Sequence, residues 1–211
     1  VKTTQQITKA MKMVSAVKLR RAQDRAEAAR PYVQRMTEVI NRLAKKTNPE
    51  AHPLLARRDK EKVLLLVVTG DKGLCGSFNS NIIKRTRALM EEEQAQSSLI
   101  TIGKRGTNYF KKRNIVIKKD YIDLFRTFYY KDAAAIGREV KEAYIQGEVD
   151  EVIMIYNEFV SAMRQRVTTN ILLPITLPSL ESVKEEEFID YIYEPSASHV
   201  LETLLNRYVE V

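Results

Sequence analysis

The chain of 211 residues is 44% hydrophobic and 29% charged, a balance that is typical of globular proteins and excludes a disordered chain. Its longest uninterrupted apolar run, residues 63–68, is far shorter than the roughly 20 residues that span a bilayer. The net charge of +8 is uneven, because residues 1–62 hold 16 Lys or Arg against 6 Asp or Glu, whereas the rest is nearly neutral. This basic segment predicts an acidic partner: nucleic acid, an anionic lipid surface or an acidic protein surface.

The first segment carries an apolar stripe with the period of an α-helix, about 3.6 residues. The stripe consists of Ile7, Met11, Val14, Val17, Ala22, Ala26, Ala29, Val33, Met36, Ile40 and Leu43. It predicts a helix of about 45 residues, about 65–70 Å long, with a bend near Pro31. A small domain cannot cover such a length, so the stripe requires a partner helix.

Strands and helices alternate after residue 62. Strands are predicted over residues 62–69, 98–102, 115–118, 149–156 and 164–173, and helices over residues 80–93, 104–113 and 132–146. Apolar strands separated by helices indicate a doubly wound, Rossmann-like α/β domain with a mostly parallel sheet. The last strand is expected at an edge because Pro174 follows it.

We expect the α/β domain to be inserted between two long helices. The expected division is residues 1–47 for the first helix, 48–62 for a linker, 63–195 for the α/β domain and 196–211 for the start of a second helix. Both helical patterns continue to the ends of the sequence. We therefore expect the natural chain to extend further and the second helix to pair with the first.

The stretch TGDKGLCGSFN, residues 69–79, joins the first strand to the next helix, where many proteins of this class hold a phosphate. A P-loop needs two glycines separated by four residues, then Lys and Ser or Thr. Here five residues separate Gly70 from Gly76, and Ser77 follows with no lysine between. The dinucleotide fingerprint fails as well, because Asp71 stands at its first glycine position. A tight strand-to-helix turn is favoured and no cofactor is expected, although the helix N-terminus keeps anion binding open.

Other chemistry finds little support. Cys75 is a candidate nucleophile at a helix N-terminus, but His52 and His199 show no local pattern that would make either its base. Two isolated histidines and one cysteine make no metal-site spacing, so no catalytic or metal-binding residue is expected. The aromatic side chains of residues 121–130 are candidates for stacking on bases, but packing in the core or at a hinge is favoured.

Three separated segments resemble the signature segments of the gamma subunit of F-type ATP synthases. They are ITKAMKMVSAVKLRRAQ at residues 7–23, GDKGLCGSFN at residues 70–79 and YNEFVSAMRQRVTTNILLP at residues 156–174. YIYEPS at residues 191–196, followed by HVLETLLNRY, is similar to the same family's return into its final helix. The resemblance covers essentially the whole chain in the family's order.

This resemblance implies a rotor. In the family, the terminal helices form an antiparallel coiled-coil shaft inside a ring of three alpha and three beta subunits, and the α/β domain contacts the epsilon subunit and the membrane c-ring. Proton flow turns the shaft while the ATP chemistry takes place in beta, so gamma itself is not an enzyme. The implied location is peripheral, on the cytoplasmic face of the bacterial inner membrane or the matrix face of the mitochondrial one.

The resemblance also implies two groups of contact residues. Those facing the alpha and beta ring are Lys9, Met11, Lys12, Lys18, Lys72 and Cys75, and those facing the c-ring and epsilon are Tyr191, Tyr193 and Glu194. Neither nucleic acid nor a small-molecule ligand is expected, and the membrane is contacted only through the c-ring. On the residues alone two other classes stay open, a nucleotide-binding Rossmann-like enzyme and a basic coiled-coil protein that binds nucleic acid.

Overall fold

A computed structural model of the protein describes residues 2–46, 52–93, 95–126, 129–161, 164–176 and 193–210. Its elements are α1 (Lys2–Lys46), β1 (Lys62–Val68), α2 (Phe78–Glu92), β2 (Gln96–Ile102), α3 (Lys104–Lys111), β3 (Ile117–Tyr121), a 3-10 turn (Leu124–Arg126), α4 (Tyr130–Ile145), β4 (Glu151–Phe159), β5 (Gln165–Leu173) and α5 (Ala197–Glu210). The strands and their connecting helices thus lie in sequence between a long first helix and α5.

The sheet has five strands in the order β3-β2-β1-β4-β5. β1, β2, β3 and β4 are parallel, and β5 is antiparallel to β4. The winding reverses at β1, because β2 and β3 are added on one side of it and β4 and β5 on the other, which is the doubly wound arrangement. The predicted fold class is confirmed, and the last strand lies at the edge as expected.

The side chains of β1 alternate between two cores, because successive residues of a strand point to opposite faces. Leu64 and Leu66 point to the face covered by α4, α5 and the last turns of α1. Val63, Leu65 and Val67 point to the face covered by α2 and α3. All five are buried, as expected of a central parallel strand with helices on both sides.

Only the carboxyl-terminal part of α1 belongs to a core. α1 is one continuous helix although it contains a proline. Met36, Ile40 and Leu43 are buried and share a core with Leu201 and Leu205 of α5. Full burial of a large apolar side chain contributes about 1.5–3 kcal/mol, so this cluster is enough to hold α1 on the rest of the fold.

β3 covers residues 117–121, whereas the sequence predicted 115–118. The backbone N–H of Ile115 donates to the carbonyl of Phe110 (3.3 Å), so Ile115 still belongs to the turn that ends α3. Its side chain packs against the core under α2 and α3. An apolar residue at the end of a helix was therefore mistaken for the first residue of a strand, while the other elements lie close to their predicted positions.

The segment before β1, predicted as a linker, is attached to the core over its described part. Leu54 is fully buried, and its carbonyl accepts the N–H of Ile175 (2.8 Å). The hydroxyl of Tyr144 donates to the carbonyl of Ala56 (2.6 Å), and Arg58 donates to the carbonyl of Tyr144 (2.6 Å). Burial raises the pKa of Tyr144, which keeps its hydroxyl a donor in this contact.

The aromatic segment after β3 does not pack as expected. Phe125, Tyr129 and Tyr130 are 47%, 61% and 52% exposed, so the prediction of core packing is wrong for these three, while packing at a hinge stays a prediction. Tyr121 is partly buried against the core under α4, and Phe128 lies outside the described residues. The physical reason is position, because the segment follows an edge strand and has the sheet on one side only.

Thr69, directly after β1, holds the beginning of α3 against the sheet. Its hydroxyl donates to the carbonyl of Ile102 (3.1 Å) and accepts the backbone N–H of Gly106 (2.9 Å). A Cβ at Gly103, whose φ is +94°, would overlap the carbonyl oxygen of Thr69, and a Cβ at Gly106 would lie 2.9 Å from the hydroxyl oxygen. Glycine is needed at Gly103 because two backbones are in direct contact, and at Gly106 because the side chain of Thr69 occupies the place of a Cβ.

We predict that Thr69→Val lowers the free energy of unfolding by about 1–3 kcal/mol, because the buried N–H of Gly106 loses its acceptor. Thr203→Val is the matched control, since it removes an exposed hydroxyl bound to the carbonyl of His199. The control is expected to change stability by less than about 0.5 kcal/mol. Urea denaturation followed by circular dichroism measures both variants, and equal losses would contradict the role given to Thr69.

Candidate partner-binding surfaces

The first candidate surface is the apolar side of α1, called here the α1 surface and defined by Ile7, Met11, Val14 and Val17. These four side chains are 56%, 61%, 55% and 52% exposed. They belong to the same stripe that α5 buries further along the helix, but every residue from 2 to 22 is exposed. A contiguous apolar stripe in water marks a place where another helix or protein binds.

Lysines surround the α1 surface. Lys9 lies two positions from both Ile7 and Met11, so it is on the opposite side of the helix. Lys18 lies seven positions after Met11, so it is on the same side as the apolar stripe. Lys12 is the neighbour of Met11, and all three lysines are exposed. α1 as a whole holds 12 Lys or Arg against 3 Asp or Glu. Its surface is therefore complementary to an acidic partner.

The second candidate surface is the β1–α2 loop, residues 69–77, which is folded around the buried side chain of Asn79. Asn79 Oδ1 accepts the backbone N–H of Gly70 (2.8 Å), and its Nδ2 donates to the carbonyl of Lys72 (3.2 Å) and to Sγ of Cys75 (3.1 Å). One side chain of the protein thus pairs with one backbone N–H, one carbonyl and the sulfur of the loop. A phosphate cradle needs such backbone N–H groups free for its ligand.

Asp71 occupies the N-terminus of α3, at the same edge of the sheet. Its Oδ1 accepts the backbone N–H of Lys104 (2.9 Å) and of Asp123 (3.1 Å). Helix N-termini at the carboxyl edge of a parallel sheet are where proteins of this class hold phosphates. A carboxylate of the chain itself holds that place here, and its charge would repel a second anion.

Four side chains of the β1–α2 loop are exposed: those of Lys72, Leu74, Cys75 and Ser77. Leu74 is fully exposed, and its φ of +59° lies in the left-handed region, which residues with a Cβ adopt rarely. Burial does not explain an apolar side chain held in this way. We interpret Leu74 as a contact residue, which sequence reasoning missed because nothing in the pattern distinguishes it from other loop leucines.

The third candidate surface, called here the foot, consists of Tyr193 and Glu194, just before α5. Tyr193 is half-buried and packs against the core shared by α1, α4 and α5, whereas Glu194 is exposed. Tyr191, the third residue expected at this surface, lies outside the described residues. Tyr193 therefore has a packing role besides any contact with a partner.

The remaining candidates for chemistry have structural roles. Nδ1 of His52 accepts the backbone N–H of Leu54 (3.2 Å), and burial lowers the pKa of this histidine. His52 thus closes a turn and is not paired with Cys75. Within the described ranges, no group of three or more His, Cys, Asp or Glu residues is arranged to hold a metal ion. Among the helices that the structure describes, none is long and apolar enough to cross a membrane.

Fold and surfaces together define an α/β protein that carries a long basic helix with an exposed apolar side. At the carboxyl edge of its sheet, the side chains of Asn79 and Asp71 accept backbone N–H groups. The family model described as ATP synthase matches residues 1–211. The chain belongs to this family, as a member of its gamma chains.

Curated relatives and a solved structure agree with this assignment. The ATP synthase gamma chain of Trichlorobacter lovleyi is 45% identical over 214 residues, covering 100% of this chain and 74% of the relative. That of Chlorobium phaeobacteroides is 42% identical over 216 residues, covering 99% and 73%. A chain of the central stalk and c-ring of Tetrahymena thermophila mitochondrial ATP synthase is 25% identical with a TM-score of 0.67, covering 97% of this chain and 88% of that one.

We predict that the protein binds neither ATP, ADP nor NAD, because Asn79 fills the turn and Asp71 holds the N-terminus of α3. Isothermal titration calorimetry with each nucleotide is the measurement. A dissociation constant below about 10 μM, roughly −7 kcal/mol, would contradict the prediction.

Proposed function

We propose that the protein is the central rotor subunit of an F-type ATP synthase and transmits torque between the membrane c-ring and the catalytic ring of alpha and beta subunits. The observation that carries the proposal is the α1 surface, a helix anchored at one end by α5 and exposed over residues 2–22. The membership of the chain among gamma chains and its likeness to a central-stalk structure support it.

The length of α1 suits a shaft. At 1.5 Å per residue, residues 2–35 extend about 50 Å before the first buried residue of the stripe, Met36. A single helix of this length with an apolar stripe is unstable in water, because tertiary packing supplies most helical stability. Pairing of the α1 surface with a second helix in an antiparallel coiled coil would bury the stripe and stiffen the shaft.

The charge of α1 suits rotation inside a ring. Exposed ion pairs contribute about 0–1 kcal/mol each, and at physiological salt the interaction decays over about 8 Å. Lys9, Lys12 and Lys18 would therefore attract acidic loops of the beta subunits without fixing the shaft at any one of them. Met11, between Lys9 and Lys12, would supply apolar contact with the ring.

The β1–α2 loop would meet the same beta loops from below. Lys72 offers a cation to their carboxylates, Leu74 offers an apolar side chain that is fully exposed in this structure, and Cys75 stands beside both. The hydrogen bonds of Asn79 hold the backbone of the turn from which these three side chains project. A rigid protrusion of this kind is suited to pushing a partner loop aside during rotation.

The foot would face the membrane side of the complex, away from the catalytic ring. Glu194 and Tyr193, together with Tyr191, would contact the c-ring and the epsilon subunit, so the protein reaches the membrane only through the c-ring. Its place would be peripheral, on the cytoplasmic face of a bacterial inner membrane or the matrix face of a mitochondrial one. The ATP chemistry would lie in beta, and this subunit would have no active site and no cofactor of its own.

The two other classes are not favoured. A nucleotide-dependent enzyme would need the crevice that Asn79 and Asp71 occupy. A nucleic-acid binder that inserts a helix into a groove reads bases with Arg and Asn. The middle of the apolar stripe of α1 instead carries Ala22, Ala26 and Ala29.

We predict that Glu194→Lys, in the complex of alpha, beta, gamma, epsilon and c-ring, weakens the coupling of ATP hydrolysis to proton transport. The reason is that the reversed charge disturbs the contact with the polar loops of the c-ring. Hydrolysis by the detached catalytic part is expected to stay nearly intact. The measurements are ATP-driven proton pumping in vesicles and ATP turnover in solution.

Glu142→Lys is the matched control for Glu194→Lys, because it makes the same change at an exposed position of α4. It is expected to leave coupling unchanged. Equal losses of pumping and of detached hydrolysis in Glu194→Lys would contradict a role at the c-ring.

The beta subunits of the family present acidic loops, called lever loops, to the shaft. We predict that a cysteine placed in such a loop forms a disulfide with Cys75 under oxidation in some rotary positions. The bond should stop ATP turnover, and reduction should restore it. Because Cys75 is the only cysteine of the chain, Cys75→Ser is a clean control that should abolish the cross-link. Absence of a cross-link at every nucleotide state, with Cys75 reactive to a small thiol reagent, would contradict the contact.

A further inference from the structure

α5 is the element that connects the long helix to the α/β fold. It packs against α1 on one side and against α4 on the other. Leu201, Leu205 and Val209 of α5 share one buried cluster with Ile40 of α1 and Val140 of α4. A force between α1 and the α/β fold can therefore pass through the contact between α4 and α5.

Apolar packing alone resists sliding poorly. Burial of apolar area is non-directional, and packed helices shift past one another at modest cost. A contact that transmits torsion also needs interactions that become less favourable when one helix moves along or around the other. The contact between α4 and α5 holds two such features.

The first feature is a glycine under the backbone of α5. A Cβ at Gly137 of α4 would lie 2.7 Å from the carbonyl oxygen of Val209 and 3.0 Å from Cα of Glu210. Gly137 lies inside α4, where glycine costs about 1 kcal/mol relative to alanine, so helix formation does not explain it. What explains it is that the two helices are in direct backbone contact at this point.

The second feature is a covered ion pair one turn further along α4. Nζ of Lys141 lies 3.3 Å from a carboxylate oxygen of Glu210, and the two side chains are only 13% and 18% exposed. Lys141 is four residues after Gly137, so both contacts lie on the same face of α4. Water and salt screen a covered pair much less than an exposed one. Because the attraction depends on the distance between these two side chains, the pair opposes a displacement of α5 along α4.

We propose that Gly137 and the Lys141–Glu210 pair form a torsional joint between the α/β domain and the helices α5 and α1. These residues act by positioning α5 on α4. The inference rests on the proposed rotor function and identifies the residues through which that function would pass from domain to shaft.

The test uses the complete ATP synthase complex in vesicles, with Lys141→Met, Glu210→Gln and the exchange of both charges, Lys141→Glu with Glu210→Lys. The ratio of protons pumped to ATP hydrolysed is expected to fall about twofold or more in each single variant, because the two partners of a contact are coupled. The double exchange is expected to restore the ratio, because it restores the attraction between the two side chains with the charges reversed.

Lys118→Met is the matched control, since it breaks an ion pair whose side chains are 37% and 53% exposed, and it should leave the ratio unchanged. Glu210→Gln keeps the size of its side chain and decides the result if Lys141→Met does not assemble. An unchanged ratio in assembled Glu210→Gln, or a double exchange no better than the single variants, would overturn the joint. Absence of coupled pumping in the unmodified complex would instead overturn the proposed function.

Discussion

The burial of α5 between α1 and α4 is the contact on which the rest of the architecture depends. α1, α4 and α5 together cover the second face of the sheet, and α5 contacts both other helices. Leu201, Leu205 and Val209 lie in the same core as the end of the 45-residue helix and the central strand. A helix held at one end and exposed along the other is the geometric basis of the proposed shaft.

The crevice at the carboxyl edge of the sheet shows how one fold serves a different purpose. In a doubly wound sheet this edge usually binds a ligand, since helix N-termini and free backbone N–H groups meet there. In this protein Asn79 and Asp71 take those positions, and Thr69 seals the contact with α3. The loop is therefore held by hydrogen bonds of its own chain, and the exposed side chains of Lys72, Leu74 and Cys75 are available to a partner. A doubly wound fold therefore does not imply ligand binding, which depends on the groups that remain available at the site.

The three candidate surfaces differ in what holds them. The α1 surface is defined by helical periodicity alone, because the described chain leaves residues 2–22 uncovered. The β1–α2 loop is fixed by hydrogen bonds that come from residues outside the turn, including Asn79 and the start of α3. At the foot, Tyr193 takes part in the core while Glu194 stays exposed. A long shaft with fixed contacts at separate places is what transmission of torque requires, whereas an enzyme would gather its groups in one crevice.

Periodicity and composition were sufficient to predict the length of α1, the alternation of strands and helices and the edge position of β5, because these depend on local spacing and on proline chemistry. The family motifs were sufficient to predict the family. The tertiary structure decided what depends on distant residues. Asn79 reaches back to Gly70, and Ile115 belongs to the end of α3. Phe125, Tyr129 and Tyr130 are exposed because they follow an edge strand. Gly137 and Lys141 meet Val209 and Glu210 across some 70 positions of sequence, a distance over which no local pattern carries information, so only the folded chain identifies their contact.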